Sequence, residues 1–402
     1  MCRIAVGLLA LLTAAGVSGC AADSAANSDV PAVVEGNTRF ALDLYGRLRA
    51  QEGNLFFSPY SISAALAMTS AGARGETADE MAKVLHLSLG AEKLAAAEGA
   101  LDKQINGEGQ KRGYQLRTAN ALWGQKGFAF RPDFLKLTKD GYEAPLREVD
   151  FAGASEEARK TINAWVEKQT EDKIKDLLKK GVLNANTRLV LTNAIYFKGD
   201  WQLQFKKDWT RDGPFKVGGD KTVQVPFMNQ TERFGYLDAP SLQLLEMPYA
   251  GKELSMVVLL PKKADGLAAL EKDLTAANLE RWLKGAREQK VAVSLPRFKL
   301  TAEFDLNKVL SEMGMPSAFG PSADFSGMGG SKGELYLSAV VHKAFVDVNE
   351  QGTEAAAATA VVVATRAAPV VPVFRADHPF VFLIRDKRSG SVLFLGRLAS
   401  PS

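Results

Sequence analysis

The side chains that most often run a reaction are scarce in this chain and poorly spaced for one. There are three histidines, His86, His342 and His378, and no two are neighbours in sequence. No His-Glu-x-x-His pair exists to seat a zinc ion on one helix face. The one Gly-x-Ser-x-Gly run, Gly329 to Gly333, lacks the strand-to-helix turn that would present its serine for attack. Gly327, Gly329, Gly330 and Gly333 read as a mobile loop; they lack the strand-before, helix-after setting of a phosphate cradle, and Lys332 has no Ser or Thr placed as a P-loop needs. No two carboxylates stand out as a pair. His342 lies in the strand-like run SAVVHKAFV, where a hydrogen-bonded core histidine is the expected role. The residues argue against an enzyme and imply no metal or cofactor. The unusual chemistry is instead in Val348 to Phe374, VNEQGTEAAAATAVVVATRAAPVVPVF: a turn signal, an alanine run, a β-branched run, one lone cation at Arg366, then prolines. That composition is flexible and protease-sensitive.

The bulk of the sequence is that of an ordinary globular protein, 402 residues with 46% hydrophobic and 24% charged. A formal charge of +4 implies no nucleic-acid partner. Small basic clusters, Lys111 with Arg112 and Lys179 with Lys180, read as solvated faces. The N-terminus is different. Arg3 precedes an apolar run from Ile4 to Val17, short for a membrane span, which ends in Val17-Ser18-Gly19-Cys20. This is similar to the lipobox of bacterial lipoproteins, which implies cleavage after residue 19 and lipidation of Cys20, with Ala21 and Ala22 following as in outer-membrane members. Residues 1–19 are then a signal peptide and residues 20–31 a lipidated flexible tether. The expected location is the outer membrane, on its periplasmic or cell-surface face, with a lipid anchor at Cys20 as the membrane contact. The two cysteines are Cys2 and Cys20, so the mature chain would hold no free thiol and no disulfide.

Residues 32–402 read as one domain. NTRFALDLYGRLRA places Phe40, Leu44, Tyr45 and Leu48 on one helical stripe. Ser58 and Pro59 form an N-cap and first-turn pair for the next helix, which stops near Gly72. SEEARKTINAWVEKQTEDKIKDLLKKG opens with acids, closes with lysines and predicts a helix ending at Gly181. Further on, Leu189 to Phe197 and Leu254 to Pro261 are almost continuously apolar and predict strands buried on both faces. HPFVFLIRD and VLFLGRL, joined by KRSGS, predict a terminal hairpin. Helices and long strands without regular alternation give an α+β class.

Several of these runs, in order, carry a family resemblance. NLFFSPYSISAALAMTSAGARGET, LVLTNAIYFKGDWQLQF, PYAGKELSMVVLLP, HKAFVDVNEQGTEAAAAT and FRADHPFVFLIRD…VLFLGRL resemble the serpin signatures from about residue 35 to 398. The resemblance implies a serpin fold: three β-sheets, eight or nine helices and an exposed reactive-centre loop. It implies a monomer that traps a serine protease covalently, the cut loop entering the main sheet as a new strand while the acyl-enzyme is intact. The hinge would be Glu350, Gly352, Thr353, Glu354, Ala355, Ala356, Ala357, Ala358 and Thr359.

The residue types suit that task. A strand entering a packed sheet buries every second side chain. From Thr353 the alternate set is Thr353, Ala355, Ala357, Thr359, Val361 and Val363, none of them charged. An unpaired charge there would cost several kcal/mol. Counting as in inhibitory serpins, sixteen positions beyond Glu350, the reactive bond would be Arg366–Ala367, which implies trypsin-like targets. The distance from Arg366 to Pro379 runs about two residues longer than in many members, and a shifted bond near Ala368 would imply elastase-like ones. Papain-like cysteine proteases, or a non-inhibitory binding role, remain the other readings. The resemblance also implies a polar cluster under the opening sheet, made of Ser58, Ser61, Asn193 and His342, with Trp201 at the top of that sheet and an Arg297–Glu350 ion pair near the loop entry.

Overall fold

The two apolar runs read as doubly buried strands lie inside the two sheets of the computed structural model, which describes residues 15–107, 113–218, 221–353 and 371–401. The elements are α1 (Ala15–Leu48), β1 (Leu55–Phe57), α2 (Pro59–Ser70), α3 (Gly75–Val84), α4 (Ala91–Asn106), β2 (Tyr114–Gln125), α5 (Pro132–Asp140), β3 (Arg147–Val149), α6 (Phe151–Gln169), β4 (Leu189–Asp200), β5 (Arg211–Gly218), β6 (Lys221–Asp238), β7 (Leu242–Pro248), β8 (Leu254–Pro261), α7 (Leu267–Asp273), α8 (Ala276–Gly285), β9 (Arg287–Pro296), β10 (Phe298–Asp305), α9 (Asn307–Met313), β11 (Leu337–Val348), β12 (Gly352–Thr353), β13 (Val373–Arg375), β14 (Phe380–Asp386) and β15 (Val392–Leu398). Nine α-helices are thus present among the described residues.

A six-stranded sheet runs in the order β10-β11-β12-β4-β2-β3, with β11 also paired directly to β4. A nine-stranded sheet runs β1-β15-β14-β8-β7-β6-β9-β13, with β5 on β6. The second holds two of the three expected sheets as lobes, because β6 is long enough to serve both. Its first part pairs with β5 and β9, and its last residues pair with β7. The helix start at Ser58 forms as expected: the Ser58 hydroxyl accepts the Ser61 amide at 3.2 Å, and Pro59 occupies the first turn, where its missing N–H costs nothing.

Three expectations are corrected. The tether over residues 20–31 is helical, as part of α1. Alanine is the strongest helix former, and Val30, Val33 and Val34 pack in one cluster with Leu94, Ala97 and Leu101 of α4. That burial offsets Pro31, which removes one backbone hydrogen bond from the helix interior. The helix expected to reach Gly181 stops at Gln169. Asn163 captures the chain further on, its amide donating to Leu178 O at 2.9 Å and its oxygen accepting Leu178 N at 2.8 Å. The segment after α6 is thereby folded back, and Ile174, Leu177 and Leu178 are buried in the cluster that includes Val190 and Val341. The glycine-rich stretch is a packed corner: a Cβ on Gly329 would stand 2.4 Å from Ala129 O.

Candidate functional site: a sheet opened at one end

β4 and β11 are parallel neighbours from Leu189↔Leu337 to Tyr196↔Phe345. Beyond that point they separate, and β12 fills the gap. Thr353 is antiparallel to both, opposite Val348 on one side and Gly199 on the other. Gly352 is required there. Its φ is +155°, and a Cβ would stand 2.0 Å from Gly199 O. Thr353 is fully buried and shares a 3.0 Å hydrogen bond with the Tyr249 hydroxyl. Burial pushes the Tyr249 phenol well above its ordinary pKa, so it stays protonated; Thr353 partly opposes the shift.

The turn from β11 into β12 is gripped from several sides. Trp201 stacks on Tyr249 with centroids 4.7 Å apart and planes within 12°. Its indole N–H donates to Asn349 O at 2.9 Å, and its backbone N–H donates to Gln351 O at 2.8 Å. The Phe205 amide donates to Glu350 O at 2.8 Å. The Glu350 carboxylate points inward. Burial alone would raise its pKa, but donors from Arg297 and Thr210 outweigh burial and hold it below the usual carboxylate value. Arg297 Nε donates to Glu350 Oε1 at 2.7 Å, with a second donation from Nη2 and a third from the Thr210 hydroxyl.

Halfway along the seam lies a second polar group. His342 and Asn193 face each other in the β11–β4 register. The Ser58 amide donates to His342 Nε2 at 3.1 Å, so the ring proton is on Nδ1, where it meets Asn193 Oδ1. Burial pushes the His342 pKa down to about 3, so the ring is neutral at physiological pH. The Asn193 amide donates to Ser61 Oγ at 2.6 Å and to Asn120 Oδ1 at 2.5 Å. Ser61 Oγ donates to Asn120 Oδ1 at 2.8 Å, and Ser58 Oγ donates to Leu393 O at 2.6 Å. The cluster therefore ties the seam to α2 and to β15 of the other sheet.

Ser58, Ser61, Asn193 and His342 are thus one network, while Trp201, Arg297, Glu350, Gly352 and Thr353 converge on the loop entry. Asn120, Tyr249 and Thr210 were not anticipated. Asn120 carried one legible signal, an amide among apolar neighbours in YQLRTANALWG, but its partner Asn193 is set by strand register. Glu354, Ala355, Ala356, Ala357, Ala358, Thr359, Arg366 and Ala367 lie outside the described residues. Cys20 falls on the backbone of α1. Ser58 and His342 touch, yet they are no catalytic pair: the imidazole accepts a backbone amide, the hydroxyl is committed to Leu393 O, and both residues are fully buried. Among the described residues no three His, Cys, Asp or Glu side chains converge on a metal position, and no helix is long and apolar enough to cross a membrane.

A large sheet parted at one end, holding the first residues of an extra strand and buttressed by a buried polar seam, defines a strand-accepting protein. Residues 35–401 match the serpin (serine protease inhibitor) family, and this chain belongs to it. It is 48% identical to the leukocyte elastase inhibitor of Bos taurus over 377 residues, spanning 91% of this chain and 98% of that protein. Among solved structures it resembles Serpin48 of the insect Tenebrio molitor (TM-score 0.81, 36% identity, 94% of this chain and 99% of that one). It also resembles the thermophilic serpin tengpin in its native state (TM-score 0.83, 30% identity, 91% and 94%).

Proposed function

We propose that this serpin is a single-use, covalent inhibitor of trypsin-like serine proteases, with Arg366–Ala367 as its reactive bond. One observation carries the reading: the register of β12. Thr353 is opposite Gly199 and Val348, and each further loop residue steps one position back along both strands. Six residues on from Thr353 is Thr359; six back from Gly199 and Val348 are Asn193 and His342, which already face each other. An inserting loop would therefore bring the Thr359 hydroxyl between the two polar groups it must part, offering each a new partner. The same alternation would turn Ala355, Ala357, Val361 and Val363 of the inserted loop toward the interior and would put Glu354 on the opposite face, beside Lys198 of β4.

The chemistry follows ordinary acyl transfer. The protease serine attacks the Arg366 carbonyl and the peptide bond to Ala367 breaks, with the proton delivered to the new amine. The freed loop zips into the seam, replacing one parallel ladder with two antiparallel ones. At about 3.4 Å per residue, insertion from Thr353 to Arg366 carries the acyl bond roughly 45 Å along the sheet. Arg366 suits a pocket whose carboxylate pairs with guanidinium.

The likeness to leukocyte elastase inhibitors supports a second reading, a bond near Ala368 offered to elastase-like enzymes. Equimolar mixing of the protein with trypsin, and separately with elastase, distinguishes them. A denaturant-stable complex with trypsin and a released peptide beginning at Ala367 is the expected result. A complex with elastase alone would move the bond. Clean cleavage by both, with no gain in thermal stability after cutting, would point to a non-inhibitory binding protein. The signal-like run ending at Cys20 supports a lipid anchor in the bacterial outer membrane. Loss of acyl mass from the protein in a Cys20→Ser variant is the matching test.

A further inference from the structure

A cavity of about 260 Å³ lies between α2, α4, β2 and α6, away from the loop entry. Its position next to an acidic helix face would mean little alone. What points to a ligand is Glu98 on α4, which lines the cavity. The residue is 96% buried (relative exposure 4%), and Oε1 has no hydrogen-bond partner among the described residues, while Asn37 of α1 stands near enough to favour the ionised carboxyl. Tyr142 also lines the cavity, and its hydroxyl is buried and without a partner among the described residues. Burial of an acid in this state is costly, and a fold gains nothing from it unless something else pairs with it.

The remaining walls limit what that partner can be. Asp102 lines the same cavity and accepts the Tyr60 hydroxyl at 2.7 Å. Glu143 at the rim pairs with Lys103 at 3.4 Å. The cation facing in is Arg147, whose guanidinium lies over the Trp165 ring at 4.7 Å. Met68 and Trp165 provide apolar walls. A bare metal ion does not fit, since no three acidic or histidine side chains among the described residues converge. The volume lies just below that of typical small-ligand sites.

From Glu98, Tyr142 and the apolar walls we infer that this cavity is a binding site for a small organic cation, a primary amine or guanidine on a short apolar body. The ammonium donates to Glu98 Oε1 and the Tyr142 hydroxyl, and the apolar body lies against Met68 and Trp165. Binding needs no protease and does not depend on the inhibitor reading. In the free protein burial, reinforced by the charge on Asp102 and opposed by Asn37, pushes the Glu98 pKa up to about 8. Arg147, Glu143 and Asp102 are the other charges facing the site. A bound cation favours the ionised acid, so uptake at pH 7 releases a proton.

The test is calorimetric titration of the full chain with phenethylamine and with its neutral analogue 2-phenylethanol, in two buffers of different ionisation enthalpy. Saturable one-site binding of the amine is expected, at least tenfold tighter than the alcohol, with proton release. Glu98→Gln is expected to weaken amine binding at least tenfold. Tyr142→Phe, which removes only a hydroxyl, should weaken it several-fold. Tyr142→Phe should melt no lower than the parent, because its hydroxyl has no protein partner among the described residues. No saturable amine binding, equal binding of amine and alcohol, or a Glu98→Gln variant that binds the amine unchanged would each overturn the inference.

Discussion

The two sheets of this serpin are built on opposite logic. In the nine-stranded sheet, all eight residues of β8 are buried, seven of them apolar, and β14 lies against it with Phe380 to Ile384 buried and apolar. In the six-stranded sheet, the β4–β11 seam is interrupted at its midpoint by Asn193 and His342, both buried and hydrogen-bonded. Apolar contacts have nothing to exchange; parting them only exposes area. A hydrogen-bonded seam can exchange partners, so its opening is limited by how well an incoming strand replaces what it displaces. On the inhibitor reading, the molecule keeps one sheet fixed and leaves the other able to change.

The largest test of that contrast is Thr353→Arg. It puts a cation at a fully buried position at the mouth of the seam, against Tyr249. At several kcal/mol for a buried unpaired charge, the yield of covalent protease complex should fall by at least ~100-fold, with cleavage retained. Wild-type complex formation in this variant would mean that the seam is not the acceptor. Next is Leu383→Ala in the fixed sheet, where a fully buried side chain is truncated. Denaturant unfolding should show a loss of ~2–5 kcal/mol, with no change in inhibition stoichiometry.

His342→Leu is expected to have a smaller effect, with a pH signature. It leaves the Ser58 amide without its acceptor, costing ~1–3 kcal/mol at pH 7. The wild-type ring has a folded pKa of about 3 against an unfolded value near 6.5. Below pH 6.5 the unfolded chain takes up a proton that the folded one refuses, so this contribution is full above pH 6.5 and falls steadily toward pH 3. Denaturation midpoints between pH 7 and 4 should therefore slope more steeply in the parent than in the variant; parallel slopes would remove His342 from the account. The smallest effect is expected at Glu288→Gln, whose partner Arg233 sits 3.0 Å away with both side chains mostly exposed. Its unfolding midpoint should not move measurably.

Much of this was readable in the residues. The long apolar runs announced β4 and β8, the Ser58-Pro59 pair fixed the start of α2, and the HPF and VLF runs closed as a hairpin. Those are local signals of period and capping. What escaped depended on partners distant in the chain. Asn120 belongs to the seam only because β2 pairs antiparallel with β4 in one register. Tyr249 belongs to the loop entry because Trp201 stacks on it. The stop of α6 at Gln169 was hidden because the capture of Leu178 by Asn163 overrides a run of good helix formers. The tether was misread because polar, alanine-rich composition does not reveal that valines at 30, 33 and 34 find a packed helix beside them.

The short strand β12 has a kinetic meaning. On the inhibitor reading, the cut loop races the water that would release the acyl-enzyme, on a clock of about a millisecond to a second per turnover. Closing a hairpin from a free chain takes about 1–10 microseconds, much of it spent finding the first correct pair. Here that search is already over. Val348↔Thr353 and Gly199↔Thr353 hold the first pair in register before any protease arrives. The race begins with the search for register behind it, and its outcome rests on how quickly the β4–β11 seam gives way.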